Sequence, residues 1–244
     1  LKEFATAEQN SIRFKFIRIF LNKMNNYDDF SGSILGTKQY WEDYYNHELK
    51  NFVEFGDRGE TWFGKLPTKQ IITWIVDNIP RNDRICDIGC GNGLVLGELS
   101  KYQYSNLYGL DYSSKSIEFC ENLFKNQKIH FEKVDILEDG YLSKQKFNVI
   151  LDKGTFDAIS LMPDSDANLN RSKYVTFLMR HLQVPDGYFI IFSCNFTRDE
   201  IITFIQEHHY LGELRVIQEF ESPRFSFGGQ SGQQVTGLVF QSKI

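Results

Sequence analysis

The sequence lacks the features that mark several large protein classes. It has four cysteines, Cys86, Cys90, Cys120 and Cys194, with no C-x-x-C pair among them. Cys86 and Cys90 flank a predicted strand end, where disulfide geometry is unfavourable, so reduced thiols and a cytoplasmic location are expected, with the nucleus as a second compartment. The longest apolar stretches, such as Tyr188-Phe-Ile-Ile-Phe192, fall far short of the ~20 residues a membrane helix needs, and no membrane partner is expected. There is no basic excess either: 27 Lys and Arg face 32 Asp and Glu, a net charge of −5. That balance argues against direct nucleic-acid binding and points to a basic protein or a small molecule as partner. Histidines are few and scattered, and His208-His209 reads as a solvated helix end, so no metal is assigned. Internal repeats and low-complexity tracts are missing as well.

The chain as given does not begin with methionine. Met24, ahead of the polar Asn25-Asn-Tyr-Asp-Asp-Phe30, is the expected natural start. Ser11-Ile-Arg-Phe-Lys-Phe-Ile-Arg-Ile-Phe-Leu21 is accordingly read as translated upstream sequence rather than as a basic amphipathic surface segment. Residues 1–33 are expected to be an extension, disordered or non-native.

What is present suits a packed interior: 41% apolar residues and 15% aromatic, including 22 Phe and 12 Tyr. The length, 244 residues, fits one domain with some extra at an end. From about Leu66 short apolar runs alternate with helical periodicity, the pattern of an α/β fold. Strands are predicted at Arg84–Asp87, Leu107–Asp111, His130–Val134, Phe147–Asp152 and Tyr188–Cys194, mostly apolar as strands buried on both faces should be. Helical spacing appears at Ile71, Ile72 and Ile75; at Leu94, Leu96 and Leu99; at Ile117, Cys120 and Phe124; and at Val175, Leu178 and Leu182. Ser113 is a candidate N-cap. A helix near Asp199–His209 then precedes strands at Leu214–Glu221 and Thr236–Ser242, which have no helix between them and must pair antiparallel. Their connection, Pro223–Gln234, reads as a long loop, a type that is often functional.

The strand Ile85-Cys-Asp87 runs into Gly89-Cys-Gly-Asn-Gly93 and then Leu94-Val-Leu-Gly-Glu-Leu99. Glycines at such a strand–turn–helix junction permit positive φ and bring a ligand against bare backbone, while free N–H groups at the helix start favour an anion. The third glycine comes one residue early for the dinucleotide fingerprint, so NAD fits poorly. Asp111 closes the next strand, eighteen residues after Gly93, where its carboxylate can accept both hydroxyls of a ribose. Asp135 closes the third, where its carboxylate can meet an adenine amino group and the Ile136 N–H a ring nitrogen. Three strand-end acids in succession, at the edge where open α/β sheets bind ligands, narrow the ligand to an adenosyl compound. Asp152 ends the fourth strand and is expected to face the same crevice, orienting a ligand amine or an incoming nucleophile. Lys153 and Asp157 are read as a solvated charge and a cap, and Asn195 as a turn residue or a group that positions an amine.

Five runs are more specific than the glycine loop: Leu35-Gly-Thr-Lys-Gln-Tyr-Trp41, Glu60-Thr-Trp-Phe-Gly64, Asp152-Lys-Gly-Thr-Phe-Asp-Ala-Ile159, Ser193-Cys-Asn195 and Phe225-Ser-Phe-Gly-Gly229. On them the sequence, from about Leu35 to the C-terminus, resembles the eukaryotic elongation factor 1A lysine methyltransferase 2 family, also known as methyltransferase-like protein 10. The resemblance implies a class I methyltransferase domain over residues 34–244: a Rossmann-like, doubly wound, seven-stranded sheet, mostly parallel, with a C-terminal antiparallel hairpin strand. It implies S-adenosyl-L-methionine as cofactor and a lysine of translation elongation factor 1A as acceptor; separately, the chain is expected to act as a monomer. The cofactor residues are then Asp87, Gly89, Gly91, Gly93, Asp111, Tyr112, Asp135, Ile136, Asp152 and Trp62. Asp152 and Asn195 are the catalytic candidates, with Trp62, Phe156 and Phe196 lining the acceptor channel. Phe196 departs from the tryptophan of relatives but stays aromatic. Trp41, Tyr45 and Trp62 fall in the region that covers the cofactor in similar enzymes, and packing on the core explains them equally well. Two other readings share the same cofactor residues: a small-molecule N- or O-methyltransferase, and a non-catalytic S-adenosylmethionine-binding protein.

Overall fold

A computed structural model of the chain describes residues 32–138, 144–163, 167–207, 214–222, 224–227, 230–233 and 235–243. After a short 3-10 turn at Ile34–Gly36, helix α1 (Lys38–Phe55) starts under an N-cap, Thr37, whose hydroxyl accepts the Tyr40 N–H at 3.2 Å. It stops at Gly56, whose left-handed φ of 70° glycine adopts without a Cβ penalty. Helix α2 (Lys65–Asn78) leads to the first strand. From there the order is β1 (Ile85–Ile88), α3 (Leu94–Lys101), β2 (Leu107–Asp111), α4 (Ser114–Leu123), β3 (Ile129–Lys133), β4 (Val149–Lys153), α5 (Thr155–Ser160), α6 (Ala167–His181), β5 (Tyr188–Ser193) and α7 (Arg198–Glu207). Strands β6 (Leu214–Phe220), β7 (Arg224–Phe227), β8 (Gln230–Gln233) and β9 (Thr236–Ser242) complete the chain.

Seven strands form the main sheet in the order β3-β2-β1-β4-β5-β9-β6. The first five are parallel, and β9 runs antiparallel between β5 and β6. The expected mostly parallel, doubly wound sheet is therefore present. Two elements depart from the sequence reading. The segment taken as a loop holds the hairpin β7–β8, a separate two-stranded sheet, and a short helix, α5, follows β4 directly. Ser113 does cap α4, accepting the Ser116 N–H at 3.1 Å.

The two faces of the sheet are sorted by the period-2 alternation of its strands. Cys86, Ile88, Ile150, Phe189 and Ile191 pack on one face with Tyr174 and Leu178 of α6 and Ile201 and Ile205 of α7. Ile85, Leu151, Ile190 and Phe192 pack on the other with Ile71 and Ile75 of α2 and Val95, Leu96 and Leu99 of α3. The chain leaves β1 for α3 on this second face and leaves β4 for α5 on the first. Adjacent parallel strands whose connections diverge in this way open a crevice at their carboxyl ends. A smaller cluster joins Tyr45 and Leu49 of α1 to Phe119 of α4 and anchors the N-terminal helix beside that crevice.

Ile150, fully buried between Cys86 of β1 and Phe189 of β5, carries much of the central packing. Ile150→Ala should lower the unfolding free energy by about 2–5 kcal/mol, seen as a lower urea midpoint at unchanged slope.

Candidate active site

The turn after β1 is built on three glycines with φ of 63°, 57° and 64°, at Gly89, Gly91 and Gly93. Two of them also need the space: a Cβ on Gly89 would lie 2.1 Å from the Thr155 hydroxyl, and one on Gly91 would lie 2.3 Å from the Tyr45 hydroxyl. Asp111 holds this turn against β2, one carboxylate oxygen accepting the Gly91 N–H at 3.0 Å and the other the Ser113 N–H at 2.9 Å. The Ser116 hydroxyl donates to the Gly91 carbonyl at 2.6 Å. Burial pushes the Asp111 carboxyl up to about 6, and these donors oppose the shift.

Register decides which charges at the strand ends reach the crevice. Asp87 lies opposite Leu151, and Ile88 opposite Asp152. Partners in a parallel pair share a face, so Asp87 and Lys153, two residues past Leu151, lie on one face while Asp152 lies on the other. Asp152 therefore does not face the crevice as expected. It is fully buried; one oxygen accepts the Thr155 N–H at 2.8 Å, and the other accepts the Phe156 N–H at 2.9 Å and the Tyr174 hydroxyl at 2.6 Å. Its carboxylate holds the start of α5 and ties it to α6. Burial raises it to about 7 against these three donors.

Asp87 is 3% exposed, and among the described residues its carboxylate accepts no hydrogen bond. Burial pushes it up to about 7, with Asp152 and Asp111 adding to the shift and Lys153 opposing it. Lys153 is only partly exposed, and its ammonium stands 5.9 Å from the centre of the Phe63 ring. Burial lowers its pKa, while Asp87 and Asp152 pull it back up. The reading of Lys153 as a solvated charge is thus corrected.

The rest of the Asp152–Asp157 run is a clamp. Gly154 has a φ of 93°, and a Cβ there would come within 2.9 Å of the Phe63 ring. Phe63 itself has a φ of 66°, in a turn closed by the Gly64 N–H donating to the Thr61 carbonyl at 2.9 Å. The Thr155 hydroxyl donates to the Ile88 carbonyl at 2.7 Å. Asp157 is no helix cap: it accepts the Ser193 hydroxyl, and the Cys194 N–H at 2.8 Å, joining α5 to the end of β5. Asn195, 8% exposed, is held in the same turn, its N–H donating to the Ser193 hydroxyl at 3.1 Å. Phe156 packs 4.8 Å from Phe196 and 4.7 Å from Phe204, inside the core rather than along a channel.

At the far end of the edge, Asp135 pairs with Lys38 of α1 and accepts the Leu137 N–H at 3.0 Å. Ile136 is 9% exposed, and Tyr112 is half-buried with the Lys38 ammonium 5.9 Å from its ring. Trp62 packs among aromatic rings of α1, edge-on to Trp41 at 5.2 Å and tilted against Tyr44 at 5.6 Å. The Asn92 amide of the glycine turn donates to the Glu60 carbonyl at 2.8 Å, which fastens this aromatic segment to the loop. The structure thus gathers Asp87, the glycine turn, Asp111, Tyr112, Asp135 and Ile136 along one edge, with Trp62 in the segment beside it. It sets Asp152 behind that edge. Phe63 and Lys38 were given no role from the sequence, and Lys153 only that of a solvated charge; their neighbours, not their residue types, distinguish them.

A glycine turn with an unpaired buried acid beside it and two further acids along the same edge suits an adenosyl amino acid, and the fold and edge together define a class I S-adenosylmethionine-dependent methyltransferase. Residues 79–227 match the family described as a methyltransferase domain. The chain is 41% identical to human EEF1A lysine methyltransferase 2 over 88% of its length and 89% of that protein's. To the protein-lysine N-methyltransferase efm4 of Schizosaccharomyces pombe it is 34% identical, over 86% of this chain and 94% of that one. It belongs to the EEF1A lysine methyltransferase 2 family. Among solved structures, a TehB-like methyltransferase from Corynebacterium glutamicum aligns with a TM-score of 0.57 at 20% identity, over 83% of this chain and 98% of that one. A methyltransferase from Clostridium acetobutylicum aligns with 0.58 at 13%, over 83% and 99%. Both share the fold.

The Asp87 shift has a pH signature. Between its unfolded value of ~3.9 and its folded value of about 7, the native state keeps a proton that the unfolded chain has lost. Its contribution to stability is therefore full below pH ~4 and is lost as pH rises toward 7. Urea midpoints from pH 4 to 8 should show a shallower decline for Asp87→Asn than for the parent protein.

Proposed function

We propose that this chain is a protein-lysine N-methyltransferase that transfers a methyl group from S-adenosylmethionine to a lysine of translation elongation factor 1A. The observation that carries the reading is the crevice edge itself, with Asp87, Gly89, Gly91, Gly93, Asp111 and Asp135 in file; the names of the family's members supply the acceptor. Asp111 is assigned to the ribose hydroxyls, Asp135 and the Ile136 N–H to the adenine, with Tyr112 and Trp62 covering that end. When bound, the cofactor supplies a sulfonium-activated methyl group, so the protein's work is placement of a neutral amine in line with it.

The acceptor lysine, with a solution pKa of ~10.4, must lose its proton before transfer, and removal from water beside a positive charge favours the neutral form. Asp152 is a positioning residue here: by holding the first N–H groups of α5 it fixes Lys153 and Gly154 at the crevice. Asn195 is the polar side chain assigned to the amine. The enzyme is further proposed to act as a cytoplasmic monomer, also present in the nucleus, on protein rather than nucleic acid or membrane. Its net charge of −5 and its four free thiols support that setting.

The direct test is mass spectrometry of elongation factor 1A after incubation with enzyme and cofactor. Methylation of one lysine is expected; an unmodified factor alongside a labelled small molecule in the same extract would overturn the assignment. Asp111→Ala should weaken S-adenosylhomocysteine binding about tenfold to a hundredfold in calorimetry, because a charge-assisted contact to the ribose is lost. Asn195→Ala should slow single-turnover methylation about tenfold or more at unchanged cofactor affinity, a contact felt mainly in the transition state.

A further inference from the structure

We infer that Lys153 and Asp87 form a paired receptor for the amino-acid end of the cofactor, Lys153 binding its carboxylate and Asp87 its ammonium. The inference rests on the crevice being the S-adenosylmethionine site and adds to it a residue, Lys153, outside the glycine turn and the strand-end acids.

The geometry comes from register. With Asp87 opposite Leu151, Lys153 is the next residue of β4 on the Asp87 face, at the carboxyl end where the crevice opens. The two groups are close enough to influence each other's ionisation, yet no ion pair joins them. Among the described residues Asp87 accepts no hydrogen bond, and the Lys153 ammonium lies over the Phe63 ring, 5.9 Å from its centre. A buried acid and base left apart each carry an unrepaid desolvation cost. A ligand with an ammonium and a carboxylate on one carbon satisfies both at once, whereas a simple anion or cation would leave one of them alone.

The surroundings keep the two from collapsing onto each other. Asp152 and the Thr155 hydroxyl fasten the backbone on the far side of Lys153, and Phe63, close against Gly154, has the lysine ammonium over its ring. Asp111, the other acid that acts on Asp87, already accepts two backbone N–H groups. Among the described residues, Lys153 is the cation that acts on Asp87 and can meet a carboxylate at this end of the turn.

Titration calorimetry on the full chain can separate this role from a structural one. The probes are S-adenosylhomocysteine and its decarboxylated analogue, which keeps the amine and the adenosine. The parent protein should prefer the intact ligand about tenfold to a hundredfold. Lys153→Met and Lys153→Gln should lose that preference by weakening only the intact ligand, and Lys153→Arg should restore most of it. Equal weakening of both ligands, or a preference untouched by Lys153→Met, would overturn the inference while leaving the cofactor site standing. A parent protein that binds neither ligand would overturn the site itself. If Lys153→Met does not fold, the charge-preserving Lys153→Arg and the isosteric-length Lys153→Gln carry the comparison, each first checked by thermal melting.

Discussion

Side chains on β1 and β4 alternate between the two faces of the sheet, and their register turns that alternation into chemistry. Because Asp87 pairs with Leu151, the acid of β1 and the lysine of β4 share the crevice, and the acid of β4 is sent into the core. A shift of one residue would exchange them, placing Asp152 at the ligand and Lys153 among Ile88, Ile150 and Tyr174. No apolar cluster accepts a lysine ammonium cheaply, so the charges themselves resist that slip. The same constraint sorts Leu151 and Phe192 onto the α2 and α3 face and Ile150 and Ile191 onto the α6 face. Core and site are thus fixed by one choice of pairing.

Once Asp152 is buried it needs donors, and the chain supplies them locally. A carboxylate at the strand end accepts two N–H groups of α5, which would otherwise be orphaned at a helix start, and a tyrosine hydroxyl from α6. Five residues on, Asp157 does the same for the turn after β5. Thr155 reaches back to the last carbonyl of β1. Six consecutive residues therefore join three strand ends, and every polar group among them but Lys153 is turned to this task. The apparent motif of chemistry is largely a motif of architecture, which explains how it can be so restrictive and still offer the crevice a single charge.

Much of this was legible in the sequence. Each predicted strand from Arg84 to Ser242 is present within one or two residues of its expected bounds, the largest offset being at Phe147, where the strand starts at Val149, since continuous apolar runs broken by turn residues leave little choice. The glycine turn and the strand-end acids Asp87, Asp111 and Asp135 were found from residue type and position alone. What failed was whatever depended on pairing. Asp152 was read as a crevice acid because it ends a strand, like the other three, and nothing in one sequence states that β4 is offset by one residue of parity from β1. Phe156 and Asp157 were misread for the related reason that α5 is too short to show helical period, so the face each would present was unknown. Lys38 was hidden differently: its partner, Asp135, lies 97 residues away.

The balance of charge along the edge bears on turnover as well as binding. In the proposed site, Asp87, Asp111 and Asp135 lie along the crevice edge, with Lys153 acting on Asp87 and Lys38 paired to Asp135 as the positive charges beside them. A sulfonium ligand with an amino-acid end carries two positive groups and one negative, and after methyl transfer it keeps one of each. In a site withdrawn from water, carboxylates attract the former more strongly than the latter, by Coulomb terms that grow as the local dielectric falls. Lys153 balances the one negative group common to both, so its contribution is nearly the same before and after transfer. Asp87 and its neighbours then favour the charged substrate over the spent product. The buried acids that cost the fold stability above pH 4 thereby tilt the site toward the ligand that can react.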